Sequence, residues 1–411
     1  MDSALVLFLI FTFASLDSCL SSSRTLKFWK NPYCDETCDK NNITIVYLRA
    51  DSHNDTVHYL WDFSVGKPTV LMALTPLSTQ LNITWDDFLA KRSNSISFTE
   101  KPIYTFGVVL QKLIEFNDVN DTAMIDLRNT ANINYWEPEF FDWQLKSLNQ
   151  KNEFVELQME GSSYNDRARS ISRYGNLTLS LRAFSSVDRS DMTPHMLHSE
   201  NSTQVDIVLG NMQTNDTFSS SRFAVKLLIV DGSNLDGVMK ADVKKRLDDE
   251  HAPGIFEIVE VKTQPIKAAE RANNLGGYMR WRPVTYLTEE RDITSSSETY
   301  HYPMIKVPEP LSSFRNTMLY CYYGNQTNDL LVEEIVVSFG SENDGFYNKA
   351  KYTTWTFIVG YGSPPEERLS YLVIMIISIG VGLPLLIVLA AGVYMCVRRI
   401  PKRESGAYSN R

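Results

Sequence analysis

The stretch that decides how this chain is organised is LSYLVIMIISIGVGLPLLIVLAAGVYMCV, residues 369–397, which contains 29 residues and no formal charge. A helix needs about 20 apolar residues to cross a bilayer, so this segment is long enough to span one. A basic cluster follows it directly: Arg398, Arg399, Lys402 and Arg403. Excess Lys and Arg marks the cytoplasmic flank of a membrane helix. We therefore predict a transmembrane helix at 369–397 and a cytoplasmic tail at 398–411.

The N-terminus predicts the same orientation. Ala4–Leu16 is an apolar stretch with the length of a secretory signal, and small residues within Ser18–Ser23 offer a cleavage site. The segment before it contains Asp2 and no Lys or Arg, so an uncleaved anchor is the alternative. We expect a signal peptide at 1–20 and a single-pass type I protein with residues 21–368 outside the cytoplasm. One span cannot by itself form a channel or a carrier.

Asn-x-Ser/Thr sequons give an independent test of this topology. About four would arise by chance in a chain of this composition, and twice that number occur. If the chain enters the secretory pathway, we expect glycans over most of the ectodomain. The candidate glycosylation sites are Asn42, Asn54, Asn82, Asn120, Asn176, Asn201, Asn215 and Asn325.

The charge balance limits the possible partners. The formal net charge is −9, although the predicted tail is basic, so the rest of the chain is more acidic than the total. An acidic ectodomain argues against nucleic acid or anionic lipid as its ligand. It is compatible with an acidic lumen, where carboxylates are partly protonated.

Cysteines are few. Cys19 lies in the predicted signal and Cys396 in the predicted membrane helix, which leaves Cys34, Cys38 and Cys321 outside the cytoplasm. These three thiols can form one intramolecular disulfide. Either Cys321 pairs with Cys34 or Cys38 and joins the two ends of the ectodomain, or Cys34 and Cys38 form a local bridge. The fold must therefore depend on a hydrophobic core.

The ectodomain sequence is typical of β-strands. Leu177, Leu179 and Leu181 alternate with polar residues, which is the period-2 pattern of a sheet with one wet face. Helical spacing appears only at Val238, Met239, Val243 and Leu247. We predict a mainly β, sandwich-like ectodomain. Further strand-like runs are 43–48, 69–74, 154–159, 223–227, 256–258, 336–339 and 353–359.

A polar stretch at 185–203, which contains Pro194, is the best candidate for a boundary within the ectodomain. A single sandwich of this length would be large. We therefore expect two packed β-rich subdomains, 21–190 and 191–368. The last predicted strand ends ten residues before the hydrophobic run, so no long stalk separates the folded part from the bilayer.

Catalytic motifs are missing from the sequence: there is no Gly-x-Ser-x-Gly elbow, phosphate-binding Gly-rich loop or His-Glu-x-x-His pair. His195-x-x-His198-x-Glu200 has metal-ligand spacing, but it lies in the polar stretch and we interpret it as a solvated loop. Asp248-Asp249-Glu250-His251 precedes Pro253 and is typical of an exposed helix end. We predict a protein that is not an enzyme and has no cofactor or metal. A hydrolase whose carboxylates meet only in space is the alternative.

The predicted membrane helix has one distinctive feature. Ser378 and Gly382 are four residues apart, with Gly380 between them and Pro384 shortly after. Small residues at this spacing allow the backbone of a second helix to approach closely. We predict a helix–helix contact at Ser378 and Gly382.

Four motifs in this order resemble the glycosylated lysosomal membrane protein family. They are TVHYLW at 56–61, LDDEHAPGIF at 247–256, WRPVTY at 281–286 and WTFIVGYGSPP at 355–365, the last leading into the hydrophobic run. The resemblance implies a heavily glycosylated type I protein of the lysosomal membrane. It also implies an accessory subunit of a lysosomal major-facilitator transporter that exports dipeptides, whose lumenal domain shields its partner from proteases.

No catalytic role attaches to these motifs in the family. The rivals are a membrane-anchored lumenal hydrolase or ligand-binding receptor, and a structural membrane glycoprotein without an obligate partner. The tail departs from the family pattern, which usually ends in a Tyr-x-x-bulky apolar sorting signal. Here Tyr408 is followed at that spacing by Arg411. Sorting through a signal on the partner is then the alternative to sorting through Tyr408.

Overall fold

The computed structural model describes residues 23–34, 36, 38, 43–64, 66–151, 153–232, 237–248, 254–263, 276–366 and 371–399. The predicted signal peptide, the sequon asparagine Asn42, the cluster from Asp249 to His251 and the tail with Tyr408 lie outside these residues. Two compact units are present. One contains the described residues up to Lys244 and from Glu257 to Pro365, and the other contains the described residues within 245–256 and 366–399. We call the first unit the β domain.

The strands are numbered in chain order. The first twelve are β1 Thr25–Lys30, β2 Ile45–Asp51, β3 Thr56–Asp62, β4 Thr69–Thr75, β5 Leu81–Ile83, β6 Ile96–Phe98, β7 Tyr104–Asn117, β8 Ile133–Trp136, β9 Phe141–Gln150, β10 Phe154–Asp166, β11 Ile171–Arg173 and β12 Asn176–Phe184. The others are β13 Asp188–Arg189, β14 Leu197–His198, β15 Ser202–Gly210, β16 Ser221–Asp231, β17 Lys240–Asp248, β18 Gly254–Lys262, β19 Gly277–Trp281, β20 Val284–Tyr286, β21 Ser296–His301, β22 Ile305–Lys306, β23 Leu331–Phe339 and β24 Tyr352–Tyr361. The helices are α1 Trp85–Leu89, α2 Pro310–Phe314, α3 Met318–Tyr323, α4 Phe346–Ala350 and α5 Tyr371–Arg399.

The first sheet has the antiparallel order β1-β2-β3-β4-β7-β16-β23-β21. The long strand β7 pairs with β4 through its first half and with β8 through its second half. A register shift between Lys226 and Leu227 of β16 places Gln111 of β7 in a β-bulge. Such bulges increase the local twist of a sheet.

The second sheet has the antiparallel order β9-β10-β12-β15-β24-β19-β18. Strand β21 connects the two sheets. Its residue Glu298 pairs with Val284 of β20, and β20 in turn pairs with β24 of the second sheet. The next residue, Thr299, pairs with Phe339 of β23 in the first sheet. One edge of the sandwich is therefore closed by a shared strand.

One hydrophobic cluster joins the two sheets. On β12, Leu177, Leu179 and Leu181 are buried and alternate with more exposed polar residues, as the sequence predicts. The same alternation occurs on β10. Because the side-chain period of a strand is two, these residues all point to the opposite sheet. The predicted mainly β, sandwich-like fold is confirmed.

The first sheet is also buried on its outer face. A second cluster combines the outward side chains of β2, β3, β4 and β7 with α1, α2, α3 and the β5–β6 hairpin, which we call the cover layer. All seven residues of β3 and all seven of β4 are buried as a result. This explains why β4 has a nearly continuous apolar sequence, since a strand covered on both faces has no wet side.

The helical spacing at Val238, Met239, Val243 and Leu247 is misleading, because residues 240–248 form strand β17. The Val243 side chain is 50 % exposed, so these apolar residues do not form a buried helical stripe. The two predicted subdomains interleave. Strands from both sides of residue 190 pair directly, as in β12 with β15 and β7 with β16, so the polar stretch 185–203 is an excursion between two neighbouring strands.

Among the described residues, α5 alone is long and apolar enough to cross a membrane, over Ile374–Cys396. The helix extends over Tyr371–Arg399 and carries Pro384 in its interior. These limits agree with the predicted span at 369–397.

Truncation of the inter-sheet core should destabilise the β domain. Leu227 on β16 is 1 % exposed, and it lines a small apolar cavity of about 30 Å³ between the sheets. We expect Leu227→Ala to lower the free energy of unfolding by about 2–5 kcal/mol in urea titrations. Ile293→Ala is the control, because Ile293 is 64 % exposed, and it should change stability by about 0.5 kcal/mol or less. Similar losses for both variants would contradict this description of the core.

Candidate functional site

Seven of the eight candidate glycosylation sites lie within the described residues of the β domain. Five of the sequon asparagines are exposed, and they belong to turns, strand ends and the cover layer: Asn54, Asn82, Asn120, Asn176 and Asn325. Asn201 and Asn215 are half-buried. The β domain thus presents acceptor side chains from both sheets, whereas the use of each sequon stays a prediction.

The two half-buried asparagines make specific contacts. Arg24 Nε donates to Asn201 Oδ1 at 2.6 Å, and Thr217 Oγ1 donates to Asn215 Oδ1 at 3.0 Å. Both contacts use the carbonyl oxygen of the side-chain amide. An N-linked glycan attaches to the amide nitrogen, so these hydrogen bonds do not occupy the acceptor atom.

A buried ion cluster holds the loop of the Asn120 sequon. The Arg222 side chain is 2 % exposed and contacts three carboxylates: Asp118 at 3.0 Å, Asp121 at 2.6 Å and Asp344 at 3.1 Å. Thr122, the hydroxyl residue of the sequon, donates to Asp118 Oδ1 at 3.0 Å. Two residues next to Asn120 are thereby fixed, and Asn120 itself remains exposed.

A groove of about 400 Å³ opens on the β domain at the first strand. It lies between the outer face of β1 and β2 and the loop that enters β5. Trp29 is 41 % exposed and Tyr33 is 84 % exposed, which is unusual for large aromatic side chains. The lining residues, which define the Trp29 groove, are Lys27, Trp29, Tyr33, Tyr47, Arg49, Asp51, Leu77, Ser78, Gln80 and Leu81.

The floor of the Trp29 groove is a rigid aromatic stack. The Trp29 and Tyr47 rings are 5.3 Å apart with an interplanar angle of 20°, and the Tyr47 and His58 rings are 5.8 Å apart at 9°. Tyr47 Oη and His58 Nδ1 share a hydrogen bond of 2.8 Å. Burial raises the pKa of Tyr47 to about 12 and lowers the pKa of His58 to about 3. Both side chains therefore stay neutral in neutral and mildly acidic solution.

Arg49 fixes one wall of the Trp29 groove. Its Nη1 donates to the Thr79 carbonyl at 2.7 Å, and its Nη2 donates to the Leu77 carbonyl. Its Nε also pairs with Asp51 Oδ1 at 2.8 Å. The guanidinium thus links strand β2 to the loop that enters β5, and the groove has defined walls.

The histidine motif forms no metal site within the described part of the chain, where no group of three His, Cys, Asp or Glu side chains is arranged for a metal. The His198 ring stacks on Phe184 at 3.4 Å, and its Nδ1 lies 3.1 Å from the Ser186 carbonyl. His195 Nδ1 contacts the Ser190 carbonyl at 2.9 Å. The predicted solvated loop is wrong for His198, which is 5 % exposed, and for Glu200, which is 8 % exposed. Burial lowers the pKa of His198 to about 4.

The cysteines adopt the local pairing. Cys34 and Cys38 form a disulfide with a Cα–Cα distance of 6.0 Å, which leaves Cys321 as a buried free thiol in α3. The alternative in which Cys321 joins the two ends of the domain is thus excluded. Cys321 packs into the cover layer, and burial raises its pKa to about 11.

The predicted helix-contact residues lie on α5. Ser378 is exposed, and a Cβ added at Gly382 would meet no atom within 4 Å. This face is therefore open to a second helix backbone. The helix–helix contact itself stays a prediction.

Sequence patterns did not identify the Trp29 groove or the Arg222 cluster. Each combines residues from separate segments of the chain, such as Trp29, Arg49 and Leu77 in the groove. The one available signal was the sequence of β1, where Lys27 and Trp29 occupy the outward positions of a short strand.

The model of the glycosylated lysosomal membrane protein family matches residues 44–402. The chain belongs to that family. This confirms the resemblance that the four motifs predict, and it includes the residues of α5.

Relatives in the family have low sequence identity to this chain, but the matches cover most of both proteins. Glycosylated lysosomal membrane protein A of Xenopus laevis is 26 % identical over 381 residues, which cover 89 % of this chain and 88 % of the relative. The Danio rerio protein of the family is 27 % identical, with 87 % of this chain and 84 % of the relative covered. The Homo sapiens protein is 24 % identical, with 85 % and 83 % covered. A galactose 1-epimerase structure from Lactobacillus acidophilus aligns with 84 % of this chain and 100 % of the epimerase at 10 % identity, but its TM-score of 0.32 is too low to support an inference.

Removal of the Arg222 guanidinium should destabilise the β domain strongly, because it leaves buried carboxylates without their cation. We expect Arg222→Ala to lower the free energy of unfolding by about 3–5 kcal/mol in urea titrations. Arg128→Ala removes an ion pair with Asp126 whose arginine is 94 % exposed, and it should cost about 1 kcal/mol or less. Equal losses would show that the Arg222 cluster has no special structural role.

The buried histidines should make the domain less stable as the pH falls. His198 stays neutral in the folded state down to a pKa of about 4, whereas it protonates near 6.5 when unfolded. The unfolded state therefore binds more protons between these values, and stability falls by about 2 kcal/mol from pH 7 to pH 5 for each such histidine. His198→Gln should reduce the pH dependence of the unfolding free energy by about this amount. Leu227→Ala, which removes no titrating group, should lower stability equally at both pH values, and an unchanged pH dependence in His198→Gln would contradict the buried neutral state.

Proposed function

We propose that this protein is a non-enzymatic type I glycoprotein of the lysosomal membrane that stabilises a multi-spanning transporter of the major facilitator superfamily. The transporter, as the resemblance implies, exports dipeptides. The glycosylated β domain lies in the lumen and protects the partner from lumenal proteolysis. No nucleic acid takes part.

The observation that carries this proposal is the arrangement of the sequons. Exposed acceptor asparagines occur at the β2–β3 turn, in the cover layer, after β7 and at the start of β12, so glycans would cover several sides of the β domain. A protease must bring its active site against an extended backbone segment. A coat of branched sugars blocks that approach sterically, both for this chain and for a partner beside it.

Helix α5 supports the part of the proposal that requires a membrane partner. Two residues of its small face, Ser378 and Gly382, are one turn apart. In lipid, helices associate mainly through close packing and hydrogen bonds rather than through the hydrophobic effect. A small-residue face of this kind suits the contact of one helix with another.

The alternative functions predict different experimental results. A lumenal hydrolase or ligand-binding receptor would turn over or retain a small molecule. A structural glycoprotein without an obligate partner would be recovered alone from solubilised membranes. Affinity capture of the full-length chain in mild detergent separates these cases, because only an accessory subunit co-purifies with a transporter in fixed stoichiometry.

A substitution in α5 tests the helix contact. We expect Ser378→Leu to reduce recovery of the transporter severalfold in the capture experiment, since a large side chain separates the two backbones. Gly380→Leu is the matched control, because residue 380 lies about 200° around the helix from Ser378. If both variants recover as much transporter as the unsubstituted chain does, the contact with the transporter is restricted to the β domain.

Removal of the glycans tests the protective role. Enzymatic deglycosylation of the native complex should make the transporter and this chain more sensitive to lysosomal proteases, measured as shorter half-lives of both intact polypeptides. The untreated complex is the control. A large loss of glycan mass with unchanged half-lives would overturn the shielding role and leave the partner contact untouched.

A further inference from the structure

We propose that the Trp29 groove is a carbohydrate site, and that it holds the inner sugars of the N-glycan attached to Asn82 of the same chain. This inference rests on the glycoprotein part of the proposed function, because it requires that the Asn82 sequon is used. It adds a specific structural role for one glycan, separate from protection against proteases.

The aromatic floor suits the face of a pyranose ring. Trp29 is held from behind by Tyr47, and Tyr47 by His58, so the indole is fixed before any ligand arrives. Its remaining exposed surface, 41 % of the residue, is available for contact. The face of an aromatic ring carries partial negative charge, and the C–H groups on one face of a sugar carry partial positive charge. A rigid aromatic platform therefore binds such a face with little loss of side-chain freedom.

The walls supply fixed polar groups for sugar hydroxyls. Arg49 is immobilised by Thr79, Leu77 and Asp51, as described above. Lys27 lies on β1 beside Arg49 in the register of the two strands, and the side chain of Gln80 is exposed at the opposite wall. A ligand pocket that combines an aromatic surface with a few fixed polar groups is typical for small molecules, and about 400 Å³ is within the usual size range.

The position of the sequons favours a glycan over a polypeptide as the occupant. Asn82 follows the lining residue Leu81 directly and is exposed, and Asn54 is three residues from the lining residue Asp51. Glycans at these positions stand at the rim and hinder the approach of a protein segment. Asn82 is not itself a lining residue, and its side chain lies on the solvent face of β5, so a sugar linked to it starts one residue from the lining and must fold over the edge of β5 to enter the groove.

Covalent attachment of the glycan compensates for the weak affinity of the groove for a free sugar. One aromatic platform with a few hydrogen bonds gives weak binding of a free sugar, in the millimolar range. A short flexible tether produces an effective local concentration that is also millimolar or higher. The attached glycan can therefore occupy the groove for much of the time when a free oligosaccharide would not. This argument selects the chain's own glycan as the occupant.

The test uses the full-length glycosylated chain under native conditions. Endoglycosidase digestion is followed at each site by glycopeptide mass spectrometry. A local concentration about one to ten times the dissociation constant predicts that the Asn82 glycan is released about two- to tenfold more slowly than those at Asn120 and Asn176. Trp29→Ala should remove this difference, and Trp29→Phe should preserve part of it. Tyr174→Ala is the matched control, since Tyr174 is 66 % exposed and does not line the groove.

Unchanged release at Asn120 and Asn176 shows that each variant is folded. An unmodified Asn82, equal release at all sites in the unsubstituted chain, or a slow release at Asn82 that persists in Trp29→Ala overturns the proposal. A second measurement examines the groove directly. Chitobiose should show saturation transfer from an Asn82→Gln chain and lose it when Trp29→Ala is added. If chitobiose binds in this way but the Asn82 glycan is not protected, the site takes a sugar from elsewhere and the assigned occupant is wrong. Transporter capture should be unaffected by Trp29→Ala, so failure here is distinguishable from failure of the accessory role.

Discussion

The structure of the β domain depends on the burial of the first sheet on both faces. Its inner face packs on the second sheet, and its outer face packs on the cover layer. A polar side chain buried on this sheet costs free energy unless it has a partner inside the protein, because water cannot reach it. His58 meets this requirement through Tyr47 and Thr75, each at 2.8 Å. Arg222, near the start of β16, is likewise buried and lies among three carboxylates.

The class of fold could be predicted from the sequence because parts of the second sheet have one exposed face, which gives the period-2 pattern in β10 and in the first half of β12. The span was equally clear, since 29 uncharged residues have few other interpretations. Strand β17 was not predicted, because the apolar residues at 238–247 have helical spacing. So few apolar residues are equally compatible with an exposed strand. The interleaving of 21–190 with 191–368 depends on which strands pair. Pairing over long sequence distances leaves no local signal in one sequence.

The candidate sites also differ in whether a local stretch of sequence identifies them. Sequons are local, so the sequence alone identifies every candidate asparagine. Five of the seven described ones are exposed and two are half-buried, and their use stays a prediction. The Trp29 groove is not local, because its walls are joined by hydrogen bonds from Arg49 to two carbonyls about 30 residues away. His198 was mistaken for a solvated residue because the stretch 185–203 that contains it is mainly polar. Its burial follows from packing on Phe184, which precedes it by 14 positions.

The isolation of Cys321 has a consequence for how the disulfide persists. Exchange between a free cysteine and a disulfide requires a thiolate that can reach one of the two sulfurs. Cys321 is 0 % exposed, and its pKa of about 11 keeps it almost entirely protonated. The Cys34–Cys38 bond is therefore kinetically insulated from the remaining thiol of the β domain for as long as the molecule stays folded. Thiol–disulfide exchange with Cys321 becomes possible only in unfolded chains. A molecule with a non-native disulfide to Cys321 would therefore have been unfolded at some earlier time.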